Sequence, residues 1–230
     1  MVVGNGMIAN TFESYRTQDR FIIFASGVSN STNTSTDAFE REKKLVAETL
    51  ETAREKLFVY FSTCSIYDPS LQNSAYVQHK IRIENMILQS QTAYVIFRLS
   101  NPIGRTGNTT TVLNYFIKHI HEKQEFTVWK NAGRNLIDID DLYTVCNEIL
   151  QQKHLTDCII NICNPQNYMV TYIIETIEKH FDIKGYYTLL DKGGAPVIDL
   201  TSVESLFTKF NINFDENYLP DLLQKYFPKK

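Results

Sequence analysis

Tyr76 and Lys80 stand one helical turn apart in the stretch AYVQHK, so a phenol and an ammonium share one face of a helix. A cation beside a phenol favours the ionised form, which makes a tyrosine usable as a general acid or base. Thirteen residues upstream of Tyr76 stands Thr63, at the end of an apolar run, with a hydroxyl that could hold a carbonyl or alkoxide oxygen. The pair alone is equally a surface feature of an amphipathic helix; the trio is more specific.

A second set of residues could hold a nucleotide. Gly4-x-Gly6-x-x-Ala9 offers one glycine for a tight turn, one for close approach of backbone to a pyrophosphate, and a small third residue for helix packing. Met1–Val3 before it reads as a strand, and Met7, Ile8, Phe12 and Tyr15 after it recur at helical spacing.

The elements that must position these groups alternate. Strands are expected at Phe21–Ala25, Leu57–Phe61, Ala93–Arg98, Thr127–Lys130 and Cys158–Cys163. Helices are expected at 37–56 with Asp37 as cap, Tyr76–Gln89, Thr110–Lys123, Asp141–Gln151 and Thr171–Phe181, with two short ones around Val203–Phe210 and Leu219–Phe227. Such alternation implies an α/β fold with a Rossmann-like, doubly wound parallel sheet, because a parallel crossover needs a helix-length return. Sites in such sheets lie beyond the carboxyl ends of the strands. Gly4–Ala9, Ser26–Gly27, Ser62–Ser65 and Ser100–Pro102 all fall there.

Composition excludes several classes. With 23 Lys+Arg against 26 Asp+Glu the net charge is −3, which does not suit a polyphosphate backbone, so no nucleic-acid partner is expected. The longest apolar runs are far below the roughly 18 residues of a membrane span. Met1–Val3 lacks the basic start and long apolar middle of a secretory signal, so the expected address is cytoplasmic. Cys64, Cys146, Cys158 and Cys163 show no C-x-x-C spacing and suggest neither zinc nor a disulfide framework, and no metal site is expected. His119 and His121 lie on different helix faces, and in the Asp138, Asp140, Asp141 cluster the last aspartate, Asp141, reads as the N-cap that begins a helix. Trp129 reads equally as pocket lining or core.

In this order, Gly4-x-Gly6-x-x-Ala9, Ser62-Thr63-x-x-x-Tyr67, Tyr76-x-x-x-Lys80, Phe97–Gly104 (FRLSNPIG) and Arg134–Asp141 (RNLIDIDD) resemble the extended short-chain dehydrogenase/reductases, the NAD-dependent epimerase/dehydratase branch that modifies nucleotide sugars. The resemblance implies that Thr63, Tyr76 and Lys80 are the catalytic hydroxyl, tyrosine and ribose-binding lysine. It implies a cofactor site of Gly4, Gly6, Met7, Ile8, Ala25, Ser26, Gly27, Ser62, Tyr76, Lys80, Asn101 and Pro102, with NAD or NADP bound. Substrate contacts would come from Thr63, Asn101, Asn108, Thr111 and Arg134, the last a forked donor for a diphosphate. It also implies a homodimer packed through the 37–56 and 76–89 helices.

Departures narrow the chemistry. The Asp-Glu pair that follows the hydroxyl in the dehydratases is Cys64-Ser65 here, and the cysteine of the C3/C5-epimerising type is Ser65. Reduction of a nucleotide-linked 4-keto sugar, or C4 epimerisation, fits best, with bacterial surface-polysaccharide biosynthesis as the usual setting. Only 14 residues separate Gly6 from Phe21, where the family inserts two further βα units of roughly 30 residues each. The expected architecture is therefore a shortened dinucleotide-binding core over 1–105 and a substrate-binding region over 106–230 that completes the sheet. The alternative is a non-catalytic Rossmann-fold binding or assembly protein without a full cofactor site.

Overall fold

The computed structural model describes residues 1–53, 55–152 and 155–229. In chain order the elements are β1 (Val2–Val3), α1 (Met7–Thr11), β2 (Phe21–Phe24), α2 (Thr36–Glu51), β3 (Leu57–Thr63), α3 (Ala75–Gln89), β4 (Tyr94–Leu99), β5 (Asn101–Ile103), α4 (Val112–His121), β6 (Phe126–Trp129), β7 (Gly133–Arg134), β8 (Leu136–Asp138), α5 (Ile139–Gln151), β9 (Cys158–Ile162), β10 (Tyr168–Met169), α6 (Val170–Phe181), β11 (Tyr187–Leu190), α7 (Glu204–Lys209) and α8 (Tyr218–Tyr226). Arg54, near the end of the helix expected over 37–56, lies outside the described residues.

Five strands form one all-parallel sheet in the order β1-β2-β3-β4-β9. Strands buried on both faces need apolar residues on both sides, and the sequences FIIF and LFVYFST supply them. Phe21, Ile23, Val59, Phe61, Val95 and Phe97 face a core shared with Phe12 and the α5 residues Leu142, Val145 and Ile149. Ile22, Phe24, Phe58, Tyr60 and Ile96 face the opposite way, against Val46 and Leu50 of α2 and Ile83 and Ile87 of α3. The sheet is thus covered on both sides, as the alternation of elements implied. β1 pairs directly with β2, so the chain between Tyr15 and Phe21 crosses over without a further strand.

A separate core joins α4, β6, α6 and α8 through Leu113, Phe116, Ile120, Val128, Ile173, Ile177, Leu219 and Leu223. Three two-stranded sheets lie outside the main one, β7 with β10, β6 with β11, and β5 with β8. Trp129 alternates outward from β6 and is 40% exposed, so it is not a core residue. Two caps differ from expectation. The side chain of Ser35, not Asp37, accepts the Ala38 N–H that opens α2, and Asp138, not Asp141, caps α5 by accepting the Asp140 N–H. In both places an earlier oxygen reaches an unsatisfied first-turn donor, which leaves the later aspartate inside the first turn, where the helix dipole favours it.

Candidate active site

Because β1 to β4 lie side by side and run the same way, Gly4, Ser26–Gly27, Ser62–Ser65 and Ser100–Pro102 line one rim of the sheet. Gly4 has φ +124°, and a Cβ there would lie 2.4 Å from the Ala25 carbonyl oxygen, so only glycine fits the approach of this turn to β2. A Cβ on Gly6 would meet nothing within 4 Å, which leaves its backbone open to a ligand. Met7 and Ile8 begin α1, which is five residues long and so contributes its free N–H groups more than any macrodipole. Ser100 Oγ, at the end of β4, is buried without a hydrogen-bond partner among the described residues. A dinucleotide lying along this rim fits an open Gly6, a close Gly27 and an unsatisfied Ser100. Beyond β1 no further strand is present among the described residues, and the adenosine end would meet less protein than the nicotinamide end.

Thr63 ends β3, is buried, and accepts the Ser65 N–H at 3.0 Å, which starts the tight turn Cys64–Tyr67 and leaves its own proton free to donate. Tyr76 enters α3 two residues after the capping Ser74, whose hydroxyl accepts the Val77 N–H. Tyr76 and Val77 pack on Val28, with Ile66 and Leu71 against them. The phenol is thereby set between the segment that follows β2 and the one that follows β3. Lys80 Nζ lies 6.0 Å from the centre of the Tyr76 ring and 2.6 Å from where a Cβ of Gly27 would stand. The structure therefore brings Gly27, Tyr76 and Lys80 together.

Lys80 is not free. Its ammonium donates to Glu42 Oε1 at 3.0 Å and to the Tyr60 hydroxyl at 3.0 Å. Tyr60 donates to the same Oε1 at 2.6 Å, while Oε2 accepts the Val28 N–H at 2.7 Å and lies 2.9 Å from His79 Nε2. Burial alone would raise the Glu42 pKa; the Lys80 charge and the hydrogen bonds from His79, Tyr60 and Val28 outweigh it and bring the value down to about 2. Sequence reasoning passed over Glu42. The signal was present, since Ala38, Glu42, Val46 and Leu50 follow one stripe at helical spacing and an acid on an apolar stripe needs a buried partner.

The other expected residues are more dispersed. Ser62 donates to Glu84, which pairs with Arg98 at 2.6 Å, and Arg98 donates to the Tyr67 hydroxyl at 2.9 Å, so Ser62 helps to brace the Cys64–Tyr67 turn. Asn101 spends its amide on the Asn135 carbonyl at 2.8 Å, and Pro102 follows it in β5. The Asn108 side-chain oxygen accepts the Thr110 N–H and hydroxyl, while Thr111 caps α4 without a side-chain bond to the helix, so both belong first to the loop that starts α4. Arg134 sits on β7 with Nη1 4.0 Å from Asp68. Burial lowers the Arg134 pKa, against the opposing pull of Asp68. The acidic trio is covered by α8: Tyr218 donates to Asp141 at 2.7 Å, Tyr226 to Asp138 at 2.6 Å, and Lys225 bridges Asp138 and Asp140.

This geometry agrees with sequence comparison. Residues 7–163 match the model of the NAD dependent epimerase/dehydratase family. The chain belongs to that family. It is an enzyme of the short-chain dehydrogenase/reductase type, and its cofactor is a nicotinamide dinucleotide. No curated protein matches the sequence. Among solved structures, UDP-glucuronic acid 4-epimerase from Bacillus cereus, in complex with UDP-glucuronic acid and NAD, is similar with a TM-score of 0.72 and 18% identity over 95% of this chain and 80% of that one. The Bordetella bronchiseptica enzyme WbmG, in complex with NAD and UDP, is similar at 0.68 and 13% over 97% and 78%. RMD from Pseudomonas aeruginosa, complexed with NADPH, is similar at 0.66 and 12% over 86% and 88%. These likenesses establish the fold, and this family member is shorter than the structures it resembles.

Proposed function

We propose that the chain epimerises the C4 carbon of a UDP-linked sugar, with Thr63, Tyr76 and Lys80 as the catalytic set. The observation that carries this reading is the position of Tyr76 and Lys80 against Gly27 on the sheet's rim, within the region that matches the family. The solved structures it resembles include a 4-epimerase held with its UDP-sugar. A bound nicotinamide would supply removal of hydride from C4 of the sugar and its return to the opposite face. Tyr76 takes the proton of the C4 hydroxyl as C4 is oxidised and gives it back to the same oxygen when the 4-keto group is reduced from its other face. Thr63 donates its free proton to the same sugar oxygen. Arg134 binds the diphosphate from the second lobe, residues 106–230, and Asn108 and Thr111 shape the loop beside it. The remaining site residues, from Gly4 to Pro102, cradle the dinucleotide.

Reduction of a 4-keto sugar uses the same three residues and is the second reading; Cys64-Ser65 in place of the dehydratase acid pair fits it and C4 epimerisation alike. A homodimer through α2 and α3, a cytoplasmic address and a part in surface-polysaccharide assembly complete the proposal. The test is Tyr76→Phe. Turnover of UDP-glucuronic acid or UDP-glucose to its C4 epimer, followed by chromatography, is expected to fall by about 100-fold or more with dinucleotide binding retained. Unchanged turnover would remove Tyr76 from the mechanism, and the absence of any turnover in the parent chain would favour a binding protein.

A further inference from the structure

We propose that Glu42 is a positioning residue for the cofactor end of the site, holding the Lys80 ammonium against Gly27 before any dinucleotide arrives. The inference rests on the catalytic reading of Lys80 given above. A lysine ammonium is a mobile point charge on four rotatable carbons, and fixing it sacrifices side-chain entropy. Here that ordering is already done. Glu42 is fully buried and every one of its carboxylate contacts is a donor: Lys80 and Tyr60 on Oε1, the Val28 N–H and His79 on Oε2. Tyr60, itself fully buried, closes a three-membered ring of contacts with Glu42 and Lys80.

The pair also sits where it can act on a ligand. A Cβ at Gly27 would fall 2.6 Å from Lys80 Nζ and 2.8 Å from Glu42 Oε1, so the ion pair touches the rim backbone itself. Its two acceptors leave one of the three Lys80 N–H donors without a partner among the described residues, and Nζ lies 6.0 Å from the Tyr76 ring centre. A ribose hydroxyl arriving there meets a donor already in place, so less of the binding free energy is lost to ordering. This matters more because, among the described residues, no strand follows β1 on that side for the adenosine end to rest on, and the nicotinamide end must supply a larger share of the affinity.

The experiment titrates nucleotide-free protein with NAD and, separately, with UDP, by calorimetry, for the parent chain, Glu42→Gln and Tyr60→Phe. UDP serves as the control because its proposed contacts, Asn108, Thr111 and Arg134, belong to the second lobe and not to the Glu42–Lys80–Tyr60 cluster. Positioning requires NAD affinity to fall about 10-fold or more in Glu42→Gln and by a smaller factor in Tyr60→Phe, with UDP affinity within about two-fold of the parent in both, the pattern expected when preorganisation alone is lost. If Glu42→Gln does not fold, Tyr60→Phe, which removes one oxygen, carries the test. Equal NAD affinity in the parent and the folded variants overturns the inference, as does parallel loss of NAD and UDP binding, which marks a structural role only. A parent chain that binds UDP but neither NAD nor NADP overturns the catalytic reading and this inference with it.

Discussion

At the scale of single residues, the buried carboxylate of Glu42 has a consequence for stability that is separate from catalysis. Its pKa is depressed from 4.5 to about 2 in the folded chain, so the unfolded state binds the proton more readily between those values. The contribution is fully present above about pH 5 and is lost as pH falls through the folded value, with an upper bound of about 3 kcal/mol. Urea midpoints measured at pH 6 and pH 3 are expected to differ by less in Glu42→Gln than in the parent; an equal or larger drop in the variant would contradict the ion pair. The residues proposed to do chemistry were readable because Tyr76, Lys80 and Thr63 keep fixed spacings along one helix and one strand end. Glu42 was not read, because its importance depends on a contact with Lys80 across 38 positions, between two helices that the sequence does not place side by side.

Among the elements, the join between α5 and α8 offers a clean test. Asp138 caps α5 through Oδ1, and the same oxygen accepts from Tyr226 while Oδ2 meets Lys225. Lys225 is 44% exposed on its side chain, so its ion pair is weak, whereas the cap satisfies a first-turn donor. Asp138→Ala is expected to cost about 2 kcal/mol, and Asp138→Asn, which keeps a capping oxygen, less than about 1 kcal/mol. Equal losses by urea denaturation would show that charge, not the cap, fastens α8. Expected helices and strands of the main sheet were found within a few residues of their observed bounds, since apolar runs and 3.6-residue stripes set them. The short strands β5, β7, β8, β10 and β11 escaped notice because two to four residues give no measurable period, and their pairing partners are distant in sequence. Trp129 and the caps at Ser35 and Asp138 show the same limit, in that a side chain's direction is decided by what lies opposite.

For the whole molecule, the deciding feature is a family fold shorter than the structures it resembles, with β1 paired directly to β2. The 14 residues between Gly6 and Phe21 announced this, and the direct pairing of β1 with β2 is its structural expression. Both faces of the sheet remain covered, by α1 and α5 on one side and α2 and α3 on the other, so the contraction leaves the core intact. What it removes is support for the adenosine half of a dinucleotide. In the proposed reading, the turn at Gly4, the approach at Gly27 and the ordered Lys80 then hold the ligand. The direct measurement is a calorimetric titration of the intact chain with NAD and with NADP. Saturable binding of at least one of them is expected, with a stoichiometry of one per chain. No saturable binding of either at millimolar concentration, in a protein shown to be folded, would contradict a working cofactor site on the shortened sheet.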